Sequence, residues 1–301
     1  MIDASHATGL MFAAFALTAW SSLSFFIRAA MKDAPLLQTT ATTTTCNALL
    51  MIPVAWFFLS TPAFRPPRPG TYLLLALIAF FMIALSRLTY YFAIRRIGPS
   101  RSIPVAANTP VVTALLAALF LGEPLSPRIF LGLALFVAGV ATVVRAGPAR
   151  GAGGAATRRD VILGYLAAGA TTFIWSSTGV MMKAAGKDMP PLAVAAMAIW
   201  LGAPMAWAIA WRFEPGLSPG RIPAGNWRWV LCAALCQTVA IPSYSLAMNH
   251  TLAVNVSSIT SLQPLLVILL ARFFLRDAEN VNWRLTLGAG MTVAGTLTVV
   301  L

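Results

Sequence analysis

The chain has 301 residues, 59% of them apolar and 10% charged, with a mean hydropathy of +0.80; a soluble domain carries roughly a quarter charged residues, so a water-soluble enzyme or binding module is excluded. The net charge of +13 would suit nucleic acid in a soluble protein, but the basic residues stand singly or in pairs between apolar stretches, where they anchor helix ends at anionic headgroups. The partner this predicts is the lipid bilayer and no nucleic acid.

Ten apolar stretches, each long enough to cross a ~30 Å hydrocarbon core as a helix, follow one another along the chain. The first runs near 8–29. Its lead-in, MIDASHATGL, has Asp3 and no Lys or Arg, so it lacks the basic region of a cleaved signal peptide and is expected to be retained. Spans two to five follow near 36–60, 71–94, 102–121 and 129–145. The basic, Gly/Ala-rich segment RAGPARGAGGAATRRD, 145–160, reads as a flexible linker. Spans six to ten lie near 161–183, 190–211, 227–248, 255–275 and 284–301. Residues 1–150 and 151–301 thus hold five spans each.

The two halves repeat one another. WSSLSFFIRAAMKDAP at 20–35 returns as WSSTGVMMKAAGKDMP at 175–190, matching Trp20 to Trp175, Ser21 to Ser176 and Pro35 to Pro190. Further on, Tyr90 matches Tyr244, Pro110 matches Pro264, and LGLALFVAGVATVV matches LGAGMTVAGTLTVV. An odd number of spans per repeat makes the second half enter the membrane from the other side. Inverted repeats of this kind are a common design of secondary transporters. The expected fold is an all-α membrane protein of ten transmembrane helices in two inverted five-helix repeats.

The stretch IPVAANTPVVTALLAALFLGEPLSPRIFLGLALFVAGVATVV, 103–144, has a proline in span four, a small-residue helix, an LGE close and a Gly-rich fifth span. In these features the chain resembles the EamA-type branch of the drug/metabolite transporter superfamily. The second copy departs from that pattern, with LRDA at 275 and SSITSLQP before its proline. The resemblance implies export or exchange of small metabolites, amino acids among them, across the bacterial inner membrane.

Several residues stand out inside the spans. All eight carboxylates fall at predicted ends or loops, which disfavours a cation/proton antiporter with a membrane-embedded acid. His6 and His250 have no evident nucleophile and acid to complete a triad, so an enzyme such as a lipid-modifying transferase is not expected. Cys46, Cys232 and Cys236 lie within spans, and no His or carboxylate completes a metal site at Cys232 and Cys236; neither metal nor cofactor is expected. Arg87 is the sharpest exception to an apolar interior. With Tyr90 and Tyr91 one turn away, its guanidinium suits a substrate carboxylate, or it snorkels to the headgroups. Pro110 and Pro264 are expected as hinges that free the carbonyls of Ala106 and Thr260, with Asn108, Thr109, Ser261 and Gln263 beside them. Pro104 and Pro242 add two more breaks. Span two carries QTTATTTTCN, in which threonines bond back to the preceding turn, while Gln38 and Asn47 are expected to face protein or water. Trp20 and Trp175, and their neighbours Ser21 and Ser176, lie too deep for an interfacial belt; with Tyr244 they are candidates for a cavity lining, as gates or as packing bulk. Gly132 and Gly139 in span five, repeated as Gly288 and Gly295 in span ten, form a smooth face for close contact with a neighbour or a second protomer, in a monomer or homodimer.

Loops after odd-numbered spans hold most of the Lys and Arg, which by the positive-inside rule places both termini outside. The family resemblance implies the reverse. The function read from these features is a secondary transporter that exports or exchanges small neutral or zwitterionic metabolites, amino acids first, by alternating access. A drug or lipophile exporter is the rival within the class.

Overall fold

The structure is a computed structural model describing residues 4–60, 68–121, 127–146, 157–185, 188–214, 222–251, 253–274 and 281–300. Every regular element among them is a helix, as a backbone in lipid requires, because intrahelical bonding satisfies each amide without water. Span one is α1 (Ala4–Ala30). Span two is α2 (Leu36–Leu50) followed by α3 (Ile52–Leu59). Span three is α4 (Pro69–Ile78), a π-helical segment (Ala79–Leu85) and α5 (Ser86–Ile97). Span four divides into α6 (Pro99–Ala106) and α7 (Thr109–Leu121), and span five is α8 (Pro127–Arg145). The second half comprises α9 (Arg158–Ala185), α10 (Pro191–Phe213), α11 (Trp227–His250), α12 (Ala253–Thr260) with α13 (Gln263–Phe274), and α14 (Trp283–Val300). Among the described residues, six helices are long and apolar enough to cross a membrane, those of spans one, three, five, six, seven and eight.

Pro110 and Pro264 stand at breaks in their spans, and they open helices rather than interrupt them. Each is the second residue of a new helix, α7 or α13, after the chain has broken at Ala107–Asn108 or Ser261–Leu262. Proline fits that first turn because its missing N–H would have had no intrahelical acceptor there. Pro104 and Pro242 do lie inside helices, α6 and α11, and Pro242 leaves the Thr238 carbonyl without its usual donor.

Contacts between helix ends give the two halves opposite directions. The end of α5 meets the start of α9 through the Arg96–Asp160 ion pair, and Asn282, just before α14, donates to the Ala146 carbonyl after α8 (2.8 Å). At that same end the Glu214 carboxylate, just past α10, accepts from the backbone N–H groups of Leu37 and Gln38 (both 3.1 Å), capping α2. An anion there answers both the unpaired amides and the positive pole of the helix. At the opposite end, Asp188 after α9 holds Thr71 and lies 3.8 Å from Arg68 at the start of α4, while Thr251 after α11 bonds His6 of α1 (2.8 Å). First-half helices therefore start where second-half helices finish.

The halves are interlocked. α1 packs along α11 and α5 along α9, two contacts related by the repeat; α2 lies against α10, and α8 against α14. In the last pair the glycines of spans five and ten face each other within one chain: a Cβ on Gly139 would lie 2.8 Å from the Gly288 oxygen, and one on Gly288 the same distance from the Gly139 oxygen. The LGE motif beyond Leu121, the LRD motif and most of the 145–160 linker fall outside the described residues.

Candidate functional site

Arg87 sits ten residues from the Ile97 end of its span, a depth of about 15 Å at the helical rise, and only 6% of it is exposed. It does not snorkel. The π-helical segment ends at Leu85, immediately before Ser86 and Arg87, and such a bulge turns the residues after it onto a new face. One guanidinium nitrogen donates to Thr44 Oγ1 (3.1 Å) and another to Asn47 Oδ1 (2.8 Å). The Asn47 amide nitrogen in turn donates to Thr238 Oγ1 of α11 (2.9 Å). Thr44 can accept because its own proton is spent on the Thr40 carbonyl (2.8 Å), one of five threonine back-bonds in α2, as read from the sequence.

No carboxylate among the described residues pairs with Arg87. A buried charge without a counterion is costly by several kcal/mol, and a guanidinium has five N–H groups to place. At the 155-residue offset of Pro35 and Pro190, the second-half counterparts of Thr44 and Asn47 are Ile199 and Gly202; at the 154-residue offset of Tyr90 and Tyr244, Arg87 is matched by Ile241. Ile199 and Ile241 pack in one apolar cluster. The polar cluster is thus built on one side of a pseudo-twofold frame and replaced by hydrocarbon on the other.

Around it lie two aromatic pairs that the repeat relates. Trp20 of α1 packs on Tyr244 of α11 with ring centroids 5.3 Å apart and planes at 50°. Trp175 of α9 packs on Tyr90 of α5 at 5.3 Å and 54°. Each pair joins one half to the other. Tyr90 also touches Tyr91 (5.8 Å) and shares a hydrogen bond with Ser24 (3.1 Å), and the Trp175 indole N–H donates to Ser86 Oγ (3.0 Å).

The remaining sequence candidates divide. Asn108, buried at the break in span four, is held at both ends: its nitrogen donates to the Pro104 carbonyl (3.0 Å) and its oxygen accepts from Thr296 of α14 (2.6 Å). It brackets span four to span ten. Ser176 donates to the Thr109 carbonyl (3.1 Å) and to that of Thr172 (2.8 Å), tying α9 to the same break. Ser21 bonds back to the Leu17 carbonyl (2.7 Å), and Ser261 to that of Ser258 (2.7 Å). Gln263 opens α13, half-buried. Gln38 lies in the first turn of α2, nine residues and about 13 Å from Asn47, so the structure does not bring it to Arg87.

Two residues were not singled out from sequence. The cap by Glu214 is a contact across 177 positions, with no local signal. Gln237 of α11 had one: it lies opposite the stripe Leu231, Leu235, Val239 and Leu246, all exposed, and so points inward.

The EamA-like transporter family profile matches residues 7–145 and 162–301. The chain belongs to the EamA-like transporter family. It is a multi-pass membrane protein of a transporter family, and lipid is its surroundings. Over 144 residues this EamA-like chain is 28% identical to a protein of Bacillus subtilis (strain 168) described as an uncharacterized transporter, YwfM; the match spans 46% of each chain, so about half the length of that relative. A solved structure described only as "Crystal structure of protein" shares the fold, with TM-score 0.65, 20% identity, and 98% of this chain and 97% of that one covered.

Proposed function

We propose that this EamA-like protein exchanges or exports small zwitterionic metabolites, amino acids foremost, across a bacterial inner membrane by alternating access over ten crossings, as a monomer or homodimer. One observation carries the substrate class: Arg87 is buried at mid-membrane depth, held in place by Thr44 and Asn47, and without a carboxylate partner among the described residues. A preoriented guanidinium of this kind binds a carboxylate through two parallel hydrogen bonds. The Trp20–Tyr244 and Trp175–Tyr90 pairs supply apolar faces for a side chain.

Alternating access finds support in the unequal packing of two pseudo-equivalent ends. At the arginine-rich end the largest buried cluster draws on Ile27, Leu36, Ile94, Ile103 and Val230, from spans one, two, three, four and eight, beside smaller clusters such as that of Val143, Ile268 and Leu285. Toward the other end the described core divides, with spans two, three, six and seven in one cluster and spans one, eight and nine in another. In this reading the arginine-rich end is closed and the opposite end leads to Arg87. The test is counterflow in proteoliposomes preloaded with an amino-acid mixture, without an ion gradient. Accumulation of one or a few labelled amino acids is expected, abolished by Arg87→Gln. Uptake of lipophilic cations with amino acids ignored, and indifference to Arg87→Gln, would instead mark a drug exporter.

A further inference from the structure

We infer that Gln237 is the second polar anchor of the substrate site and receives the ammonium group of an α-amino acid whose carboxylate is on Arg87. The inference rests on the reading of Arg87 given above and adds to it what the other end of the zwitterion meets.

Three observations lead to Gln237. The first is its direction. Leu231, Leu235, Val239 and Leu246 form the exposed stripe of α11, and at 100° per residue Gln237 lies on the opposite side of the helix. Its own face includes Val230 and Ala233, which are buried with Tyr90 and Tyr91 in one cluster that Trp20 and Trp175 border, and Tyr244, which packs on Trp20. The second is its depth. Gln237 is ten residues into α11 and Arg87 ten residues from the end of α5, so both lie about 15 Å from the same end of the bundle. The neighbouring Thr238 is already joined to Arg87 through Asn47, which brings this level of α11 to the level of the guanidinium.

The third observation is chemical. Gln237 Oε1 is buried and has no hydrogen-bond partner among the described residues. An amide oxygen left so inside a bilayer is costly unless it meets a donor. Asn47, Asn108 and Asn282, by contrast, spend their groups on protein partners. A cation-binding acceptor and a carboxylate-binding donor at one depth are complementary to an α-amino acid, and to neither a simple amine nor a simple acid. Neutral Gln237 serves an ammonium without demanding a proton in exchange, in keeping with a site whose described residues hold no buried acid. In the second-half frame the counterpart of this residue is the apolar Ile83, so the head-group site has one orientation only.

The experiment uses the full-length protein in proteoliposomes. For each of the twenty amino acids that exchanges, its counterflow is competed with the unlabelled amino acid, with its des-amino carboxylic acid, and with its decarboxylated amine. The wild type is expected to favour the amino acid over the des-amino acid by at least about tenfold, the worth of a hydrogen bond to a charged group. Gln237→Leu is expected to bring that ratio close to one, and Gln237→Glu, whose carboxylate also accepts from an ammonium, to keep it. Gln237→Met, closer in length, replaces the leucine variant if the latter is not monodisperse. An unchanged ratio in folded Gln237→Leu overturns the inference and leaves Arg87 untouched. A decarboxylated amine that competes as well as the amino acid overturns the Arg87 reading itself, and exchange of none of the twenty overturns both.

Discussion

At the level of single residues the molecule turns on Arg87, a buried charge with no carboxylate partner among the described residues. Arg87 is fixed by hydrogen bonds that use two of its nitrogens and leave it cationic. Geometry as well as charge matters here, because a lysine ammonium has neither the planar fork nor the reach to both Thr44 and Asn47. Arg87→Lys is therefore expected to lose about a hundredfold in counterflow rate, as does truncation of one partner of a buried charged pair, with unchanged elution of the solubilised protein. Asn47→Leu removes the link between Arg87 and Thr238 and is expected to cost about tenfold, through orientation rather than charge. Combining the two is expected to give much less than the product of the losses, because both act on the same guanidinium. A full multiplicative loss would show that Asn47 acts elsewhere.

Among the elements, the closest contact is that of α8 with α14. Gly132 and Gly139 meet Gly295 and Gly288 backbone to backbone, and an added Cβ has nowhere to go. Gly139→Leu is expected to destabilise the solubilised protein by about 1–3 kcal/mol, read as a lower midpoint of thermal aggregation. Gly290→Leu, on the partner helix α14 with nothing within 4 Å of its Cβ position, is expected to be neutral. The sequence made this contact half legible. Its seven-residue glycine spacing marks a smooth face, but the partner, the other half of the same chain, is a property of the assembled bundle. The broken spans were legible from their prolines, but the exact place of each break was not, for a related reason. A proline within a helix and a proline opening one leave the same mark, and the break at Ala107–Asn108 depends on Thr296, 188 positions away from Asn108. The π-helical segment is spelled AFFMIAL, which carries no local cue. The aromatic pairs were the opposite case: Trp20, Trp175, Tyr90 and Tyr244 all stand out in the repeat, and only their crossing between halves needed coordinates.

On the scale of the whole molecule, the inverted repeat makes two ends that are built alike and packed differently. The end that holds Arg95, Arg145, Arg158, Arg159, Arg212, Arg228, Arg272 and Arg284 also holds the largest buried cluster. Arg228 lies over Trp229 at 4.7 Å and Arg284 over Trp283 at 5.7 Å, a pairing suited to a headgroup layer. By the charge bias this end is expected in the cytoplasm, whereas the family resemblance implies the reverse. In intact cells a membrane-impermeant maleimide is expected to label Tyr72→Cys, exposed at the other end, and to spare Arg158→Cys; the reverse pattern would place the arginines outside. The central claim, that the buried Arg87 guanidinium holds the carboxylate of the substrate, is met most directly by equilibrium binding. Purified wild type and Arg87→Gln would be titrated with the amino acid that exchanges fastest and with its methyl ester. The wild type is expected to bind the acid and not the ester, and Arg87→Gln neither. Equal binding of acid and ester by the wild type, or undiminished binding of the acid by Arg87→Gln, would contradict the account.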